Sequence, residues 1–406
     1  MNKPVYLLMV TTENNNKYYQ MTPINENEWQ AKYGRVGASE QIRTYSMRDW
    51  NKKYNEKIKK GYIDRTDLME EEFEEEIPST QQEYQEIQNK IVKEIVEKLQ
   101  SLAKSSVAKN YKVKANVVTQ KMIDSAQELL DSMVNFQGTV QEFNNKLLEL
   151  FSIIPRKMGN VNEYLIRDIS DVNQKIIKEN DILDTMRSQV YVKDIKEQKI
   201  EENKPIHNMT ILDALGLDIQ EVTDSEINMI KSLMNESKDK FKRAWKVTNY
   251  KTQKKFDEYV AKNHIKETKL LFHGSRSENF WSILQTGLVL RPTNVIISGK
   301  MYGFGCYFAP KCQKSIGYTS LKGSYWANGN NNIAYMALFD TAYGTPYDVY
   351  NFDSKYYNFN YDALQQEKKG ANCLHAHAGT GMLRNDEIVY YKEDQMTIKY
   401  LIEIGY

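Results

Sequence analysis

Five histidines stand in a chain of 406 residues, and one of them, His273, closes the apolar run of "LLFHGSRSENF". A lone histidine beside apolar residues is commonly a packed, hydrogen-bonded side chain, and the local pattern alone does not make it a catalyst. Two more, His375 and His377, follow Cys373 in "CLHAHAG" at i+2 and i+4. On a strand all three would face one way. A closed zinc site needs a fourth ligand, and no partner pair is evident. These residues therefore read as polar side chains on a half-exposed strand, and no metal is expected. No Gly-Lys-Ser/Thr follows a glycine-rich loop, so there is no P-loop, and "GFGC" lacks the third glycine and the helix context of a dinucleotide fingerprint.

Whatever chemistry these residues do, the elements around them must set their geometry. Hydrophobic content of 41% with 27% charge is that of a soluble globular protein and excludes disorder as the default. A net charge of +1 gives the whole chain no electrostatic preference for nucleic acid or membrane. Three cysteines without a Cys-x-x-Cys pair point to a reducing compartment, and neither a signal peptide nor a membrane-length apolar run is visible. A soluble cytoplasmic protein with no membrane partner is the expectation, and its Lys, Asn, Ile and Tyr richness suits an AT-rich microbial genome.

Three textures divide the chain. Residues 1–66 alternate in short stretches ("PVYLLMV", "KYYQM") around the glycines of "YGRVG", and "DWNKKYNEKIKKG" reads as a helix. Twelve Lys/Arg against seven Asp/Glu leave this segment at +5, whereas residues 67–80 hold seven acids and no base. That acidic run reads as a solvated linker. From 84 to 237 the apolar residues recur every three or four positions, as in Met122, Ile123, Ala126, Leu129, Leu130 and Met133. Thr223 and Glu226 have capping-box spacing. Beyond 238, "KKFDEYVAK" reads as a helix, "TKLLFHGS" as a strand ending at His273, and "EIVYYKEDQMTIKYLIEI" as two strands around a polar turn.

The last 160 or so residues resemble the catalytic domain of poly(ADP-ribose) polymerases, in which a strand ending in His-Gly-Ser, a "YMFGKGIYFA-like" stretch and a glutamate on a late strand follow in order. Here these are His273-Gly274-Ser275, "GKMYGFGCYFAPKCQKSIGY" with Tyr307, Lys314, Ser315 and Tyr318, and "RNDEIVYYKEDQ". Counting back from Gln395 favours Glu387 over Asp386 as the glutamate. "LLELFSIIPRKMG" resembles the helical regulatory domain of DNA-dependent members, and residues 1–66 resemble a WGR domain, with Tyr33 in place of its tryptophan.

The resemblance implies a multidomain α+β protein: a small WGR-type β-sheet domain at 1–70, the acidic linker at 71–83, an all-α regulatory bundle at 84–237, and over 238–406 a mixed α/β ADP-ribosyltransferase fold with antiparallel split sheets. It implies NAD+ as substrate, with no metal. Glu387, His273 and Tyr307 would be the catalytic set, and Gly274, Ser275, Asn279, Gly299, Lys314, Ser315 and Tyr318 would bind NAD+. The chemistry suits these types. Departure of nicotinamide builds positive charge on the ribose, which a carboxylate stabilises. The planar leaving group wants aromatic walls, here Tyr318 and Tyr307, and its amide wants the Gly274 backbone and the Ser315 hydroxyl. His273 would hold a ribose hydroxyl on the adenosine side.

Lys32, Tyr33 and Arg35 would contact DNA ends or nicks. The implied function is a DNA-damage-dependent polymerase of the bacterial cytoplasm, nucleoid-associated when DNA-bound, that modifies protein acceptors including itself. Lys300 and Asn385 stand where tyrosines are common near the acceptor region. A mono-ADP-ribosyltransferase and a non-catalytic DNA-binding scaffold stay open as alternatives.

Overall fold

A computed structural model of the chain describes residues 2–66, 84–111, 118–133, 136–201, 208–290, 301–303 and 305–406. The acidic run of 67–80, together with Gly299 and Lys300, lies outside the described residues. The chain forms two compact units, each built from two stretches: Met1–Gln81 with Lys104–Lys193, and Gln82–Ala103 with Asp194–Tyr406. Among the described residues no helix is long and apolar enough to cross a membrane.

In the first unit, alternating sequence makes an antiparallel sheet of β1 (Val5–Val10), β2 (Asn16–Pro23), β3 (Glu28–Arg35), β4 (Gln41–Ser46) and β5 (Ile63–Asp64), ordered β4-β3-β2-β1-β5. Helix α1 (Trp50–Lys59) closes one face, where Leu7, Tyr19, Met21, Trp29, Ala31 and Trp50 form the core. Every second residue of β3, Trp29 and Ala31, is on that face, as period 2 requires. Helix α2 (Lys90–Asn110) contributes its residues from Lys104 onward, followed by α3 (Gln120–Ser132), α4 (Val140–Ile153) and the residues of α5 (Val172–Glu201) up to Lys193.

Met122, Ile123, Ala126 and Leu130 are the buried stripe of α3, at the helical spacing read from the sequence. Sheet and helices of this unit are tied together: Asn16 Nδ2 donates to Arg156 O at 3.1 Å, and Arg65 donates to Ser152 Oγ at 2.7 Å.

The second unit holds α6 (Ile211–Leu215), β6 (Leu217–Glu221), α7 (Asp224–Met234), β7 (Phe241–Asn249), α8 (Tyr250–Lys262), β8 (Lys269–Gly274) and α9 (Phe280–Thr286). After these come β9 (Cys306–Phe308), α10 (Cys312–Ile316), β10 (Ile333–Thr341), β11 (Pro346–Val349), α11 (Tyr361–Glu367), β12 (Cys373–Ala376), β13 (Glu387–Tyr390) and β14 (Met396–Gly405). Two sheets result, ordered β6-β7-β14-β10-β8 and β11-β12-β13-β9. All their pairings are antiparallel except β11 with β12, which is parallel.

The helical period expected over 84–237 breaks at β6, which pairs with β7 as an edge strand. Gly216 makes the break. Its φ of 68° is the left-handed C-cap that stops α6 and turns Leu217 and Ile219 inward. Helix α7 begins where the sequence places it, with the Thr223–Glu226 capping box formed.

Candidate active site

The two sheets of the second unit meet where β8 and the end of β9 exchange hydrogen bonds, Phe272 N to Ala309 O and Ala309 N to Phe272 O, both at 3.0 Å. This junction brings the end of "LLFHGS" against the aromatic run of "CYFAP". His273 Nδ1 lies 3.1 Å from Tyr307 O. A carbonyl can only accept, so the Nδ1 proton is donated to it. The imidazole is flanked by Phe308 and Phe339, with centroids at 5.7 and 6.0 Å. These neighbours orient it.

Strand β13 separates the two acids that the sequence left adjacent. Val389 is in register with Tyr307, and Glu387 with Ala376, so Glu387, Val389 and Tyr307 share a face. Asp386, one residue earlier, goes to the other face, where its carboxylate meets His375 at 3.0 Å. Glu387 is 3% exposed. Its Oε1 lies 2.8 Å from Lys314 Nζ, and among the described residues its buried Oε2 has no hydrogen-bond partner. Burial pushes the Glu387 carboxyl above its usual range, and the Lys314 ammonium opposes this without cancelling it.

Lys314 is delivered by α10, which seats directly on β8. Ser315 Oγ donates to Phe272 O at 3.1 Å. A Cβ on residue 274 would fall 1.9 Å from the Ser315 carbonyl oxygen, so only glycine lets this helix approach. Tyr318, just beyond the helix, stacks on Trp326 with centroids 6.0 Å apart at 17°. Its phenol is held well above the usual range by burial and by the Glu387 charge.

Tyr307 is raised in the same direction by burial, and its hydroxyl is held in a turn, accepting from Tyr302 N at 3.1 Å and donating to Gly303 O at 2.8 Å. Ser275 Oγ accepts from Asn279 Nδ2 at 3.1 Å, while Asn279 Oδ1 is buried with no partner among the described residues.

Tyr302 belongs to this site, and the sequence reading passed over it. It is fully buried, its hydroxyl has no partner among the described residues, and burial together with the Glu387 charge raises its pKa. The signal was its place in the same aromatic run as Tyr307. The second unit therefore gathers Glu387, Lys314, Tyr302, Tyr307 and Tyr318 around one carboxylate, with His273, Gly274 and Ser315 at the adjoining β8–α10 seam. Three buried polar atoms, Glu387 Oε2, Tyr302 Oη and Asn279 Oδ1, want partners that a polar ligand such as a dinucleotide would supply.

Lys32, Tyr33 and Arg35 lie elsewhere, on β3 of the first unit. Arg35 donates to Asn14 O and Oδ1 at 2.8 Å and to Gly159 O at 2.7 Å, so its guanidinium works as an internal brace. Tyr33 packs on Tyr19 at 5.4 Å, on the core side. Lys32 is on the opposite face, between Gln20 and Ile42.

Comparison with known sequences agrees with this geometry. Residues 224–406 match the family model of the poly(ADP-ribose) polymerase catalytic domain. Two similar proteins come from Invertebrate iridescent virus 6. A "putative poly [ADP-ribose] polymerase-like" protein, 100L, is 37% identical over 190 residues, covering 46% of this chain and 97% of its own length. An uncharacterized protein, 101L, is 33% identical over 238 residues, covering 57% of this chain and 95% of its own. Poly [ADP-ribose] polymerase 2-B of rice is 24% identical over 231 residues, 54% of this chain and 35% of that protein.

Proposed function

Because the chain belongs to the poly(ADP-ribose) polymerase family and is an NAD+ ADP-ribosyltransferase, we propose that it forms polymer on protein acceptors, itself included, and does so in response to broken DNA. The observation that carries the chemistry is the Glu387 carboxylate, buried, held by Lys314 through one oxygen and unpartnered at the other among the described residues.

The bond from ribose C1′ to the nicotinamide nitrogen breaks with its electron pair going to nicotinamide, which leaves neutral. Positive charge grows on the ribose as it does so, and a carboxylate fixed in a water-poor wall stabilises that charge. Tyr318 and Tyr307 offer faces to the leaving ring. The oxygen of an acceptor hydroxyl then bonds C1′, and its proton passes to solvent. When the acceptor is a ribose hydroxyl of ADP-ribose already attached, Glu387 Oε2 is the group to orient it, and the chain lengthens.

The DNA response is assigned to the first unit. Its support is the +5 charge of residues 1–66 and Lys32, half-buried on the face away from the Trp29 core, since Arg35 is engaged internally. The test is incubation with labelled NAD+, with and without nicked or blunt DNA, read on a gel. A ladder that intensifies with DNA is expected. A single labelled band would mean mono-transfer, a ladder indifferent to DNA would remove the damage response, and absence of label would sink the enzyme.

A further inference from the structure

Two histidines and two aspartates converge in the second unit, on the other face of the sheet from Glu387. Asp348 of β11 is in register with His375 of β12 across the parallel pairing. On the other side, the β12–β13 register places Asp386, one residue before Glu387, beside His377. The rings of His375 and His377 stack with centroids 4.1 Å apart at 22°. Asp348 Oδ1 lies 2.8 Å from His377 Nε2 and 3.9 Å from His375 Nδ1, and one donor atom from each of the three residues falls within 4.8 Å of the others. Cys373, which shares their sequence spacing, stays out of the cluster, with Sγ on Tyr343 O at 3.5 Å.

We propose that Asp348, His375 and His377 bind a divalent transition-metal ion of the zinc class, with Asp386 as the carboxylate that sets the His375 ring. The donor chemistry selects the ion: two imidazole nitrogens and one carboxylate oxygen with a further position open suit zinc, whereas calcium and magnesium want oxygen throughout. The spacing also suits it. Donors bound at roughly 2.0–2.2 Å around a tetrahedral ion lie about 3.3–3.5 Å apart, and the observed 2.8 and 3.9 Å bracket that value. Small rotations of the Asp348 carboxylate and the His377 ring would equalise them.

Asp386 supplies what a ligating histidine needs from behind. Its Oδ2 is 3.0 Å from His375 Nε2, and its Oδ1 accepts from Ala378 N at 2.9 Å, so the carboxylate is itself anchored. A proton held on Nε2 by Asp386 leaves the lone pair on Nδ1, the nitrogen facing Asp348. Tyr343 Oη, 2.8 Å from Nδ1, is the group the ion would displace. The proton that His377 shares with Asp348 moves to Nδ1, which Asp386 Oδ2 faces at 4.0 Å. His377 and Asp348 are partly exposed, which gives an ion its route in. Such an ion would clip β11 to β12 beside the turn that leads to Glu387.

The test uses the full chain, stripped with a chelator and titrated with Zn2+ alone by calorimetry and with Co2+ by visible absorption. One saturable ion per chain is expected, with the d–d bands of a low-symmetry cobalt site and a rise in melting temperature on zinc addition. His377→Ala and Asp348→Asn should each weaken binding at least about tenfold and remove the cobalt bands. Asp348→Asn is isosteric and keeps the test decisive if His377→Ala does not fold. Absence of saturable binding by the wild type, or equal affinity in wild type and both variants, would overturn the site and leave a hydrogen-bonded His–Asp cluster. These readouts do not depend on transferase activity.

Discussion

Glu179 in the first unit and Glu387 in the second are both buried against cations, and these two glutamates answer burial in opposite ways. In the first unit Glu179 of α5 faces Arg156 at 3.2 Å through Oε2 and Lys175 at 2.9 Å through Oε1. Burial is the largest single influence and pushes its pKa up, yet the two cations together outweigh it and hold the carboxyl below its usual range. Arg156 is itself laid over the Tyr111 ring at 4.8 Å.

Among the described residues Glu387 has one cation, Lys314, and there burial wins. A carboxylate with a cation at each oxygen is a structural joint. One with a single matched oxygen and a raised pKa retains an unmet demand, and a substrate carrying developing positive charge is what meets it.

Exchanging the carboxylates for amides tests this contrast most severely. Glu387→Gln is expected to lower ADP-ribose transfer by about a hundredfold or more and to abolish the ladder on a labelled-NAD+ gel. Circular dichroism should stay unchanged. Asp386→Asn should retain the ladder, and a ladder surviving in Glu387→Gln but lost in Asp386→Asn would reverse the assignment of the two acids.

Glu179→Gln strands two buried cations, and a cost of about 3–5 kcal/mol in urea unfolding is expected. A loss below 1 kcal/mol would show that the first unit's joint is no more than the single pair at Glu387.

Lys314→Met sharpens the comparison through pH. Glu387 must be ionised to stabilise the ribose cation, and its pKa is already raised. Without Lys314 it rises further, so the acid limb of kcat/KM should move to higher pH and activity should fail earlier on acidification. An unmoved limb would mean that Lys314 does not act on the carboxylate.

The smallest effect is expected at Glu226, whose carboxyl is held down at about 2, first by the Thr223 backbone N–H and further by Lys246 and Tyr400. A depressed carboxylate stabilises the fold above its usual 4.5, and that contribution disappears as pH falls toward about 2. Glu226→Gln should cost about 1 kcal/mol at neutral pH, with the deficit narrowing over that acid window in pH-dependent unfolding.

What could be read directly from the chain was local. The Thr223–Glu226 box, the strand ending at His273, and the two strands on either side of Gln395 depend on neighbours a few residues apart, and each formed as the spacing indicated. Spacing also picked Glu387 from the pair of acids, although why that residue and not Asp386 turns toward Lys314 follows from the β12–β13 register.

The rest was non-local. Strand β6 sat inside a helical texture because one left-handed glycine outranked the periodicity around it. Arg35 looked like a free cation until carbonyls of residues 158 and 159 closed around it. Cys373 looked like the companion of His375 and His377, but the parallel β11–β12 pairing brought Asp348 instead.

By itself, then, the sequence determined residue types, their order and the periods of their elements, because those depend on short-range geometry. Which oxygen of Glu387 is paired, which acid faces which histidine, and how closely α10 can seat on Gly274 were decided only by the tertiary structure, because burial and strand register bring together residues far apart in the chain and set the dielectric in which they meet.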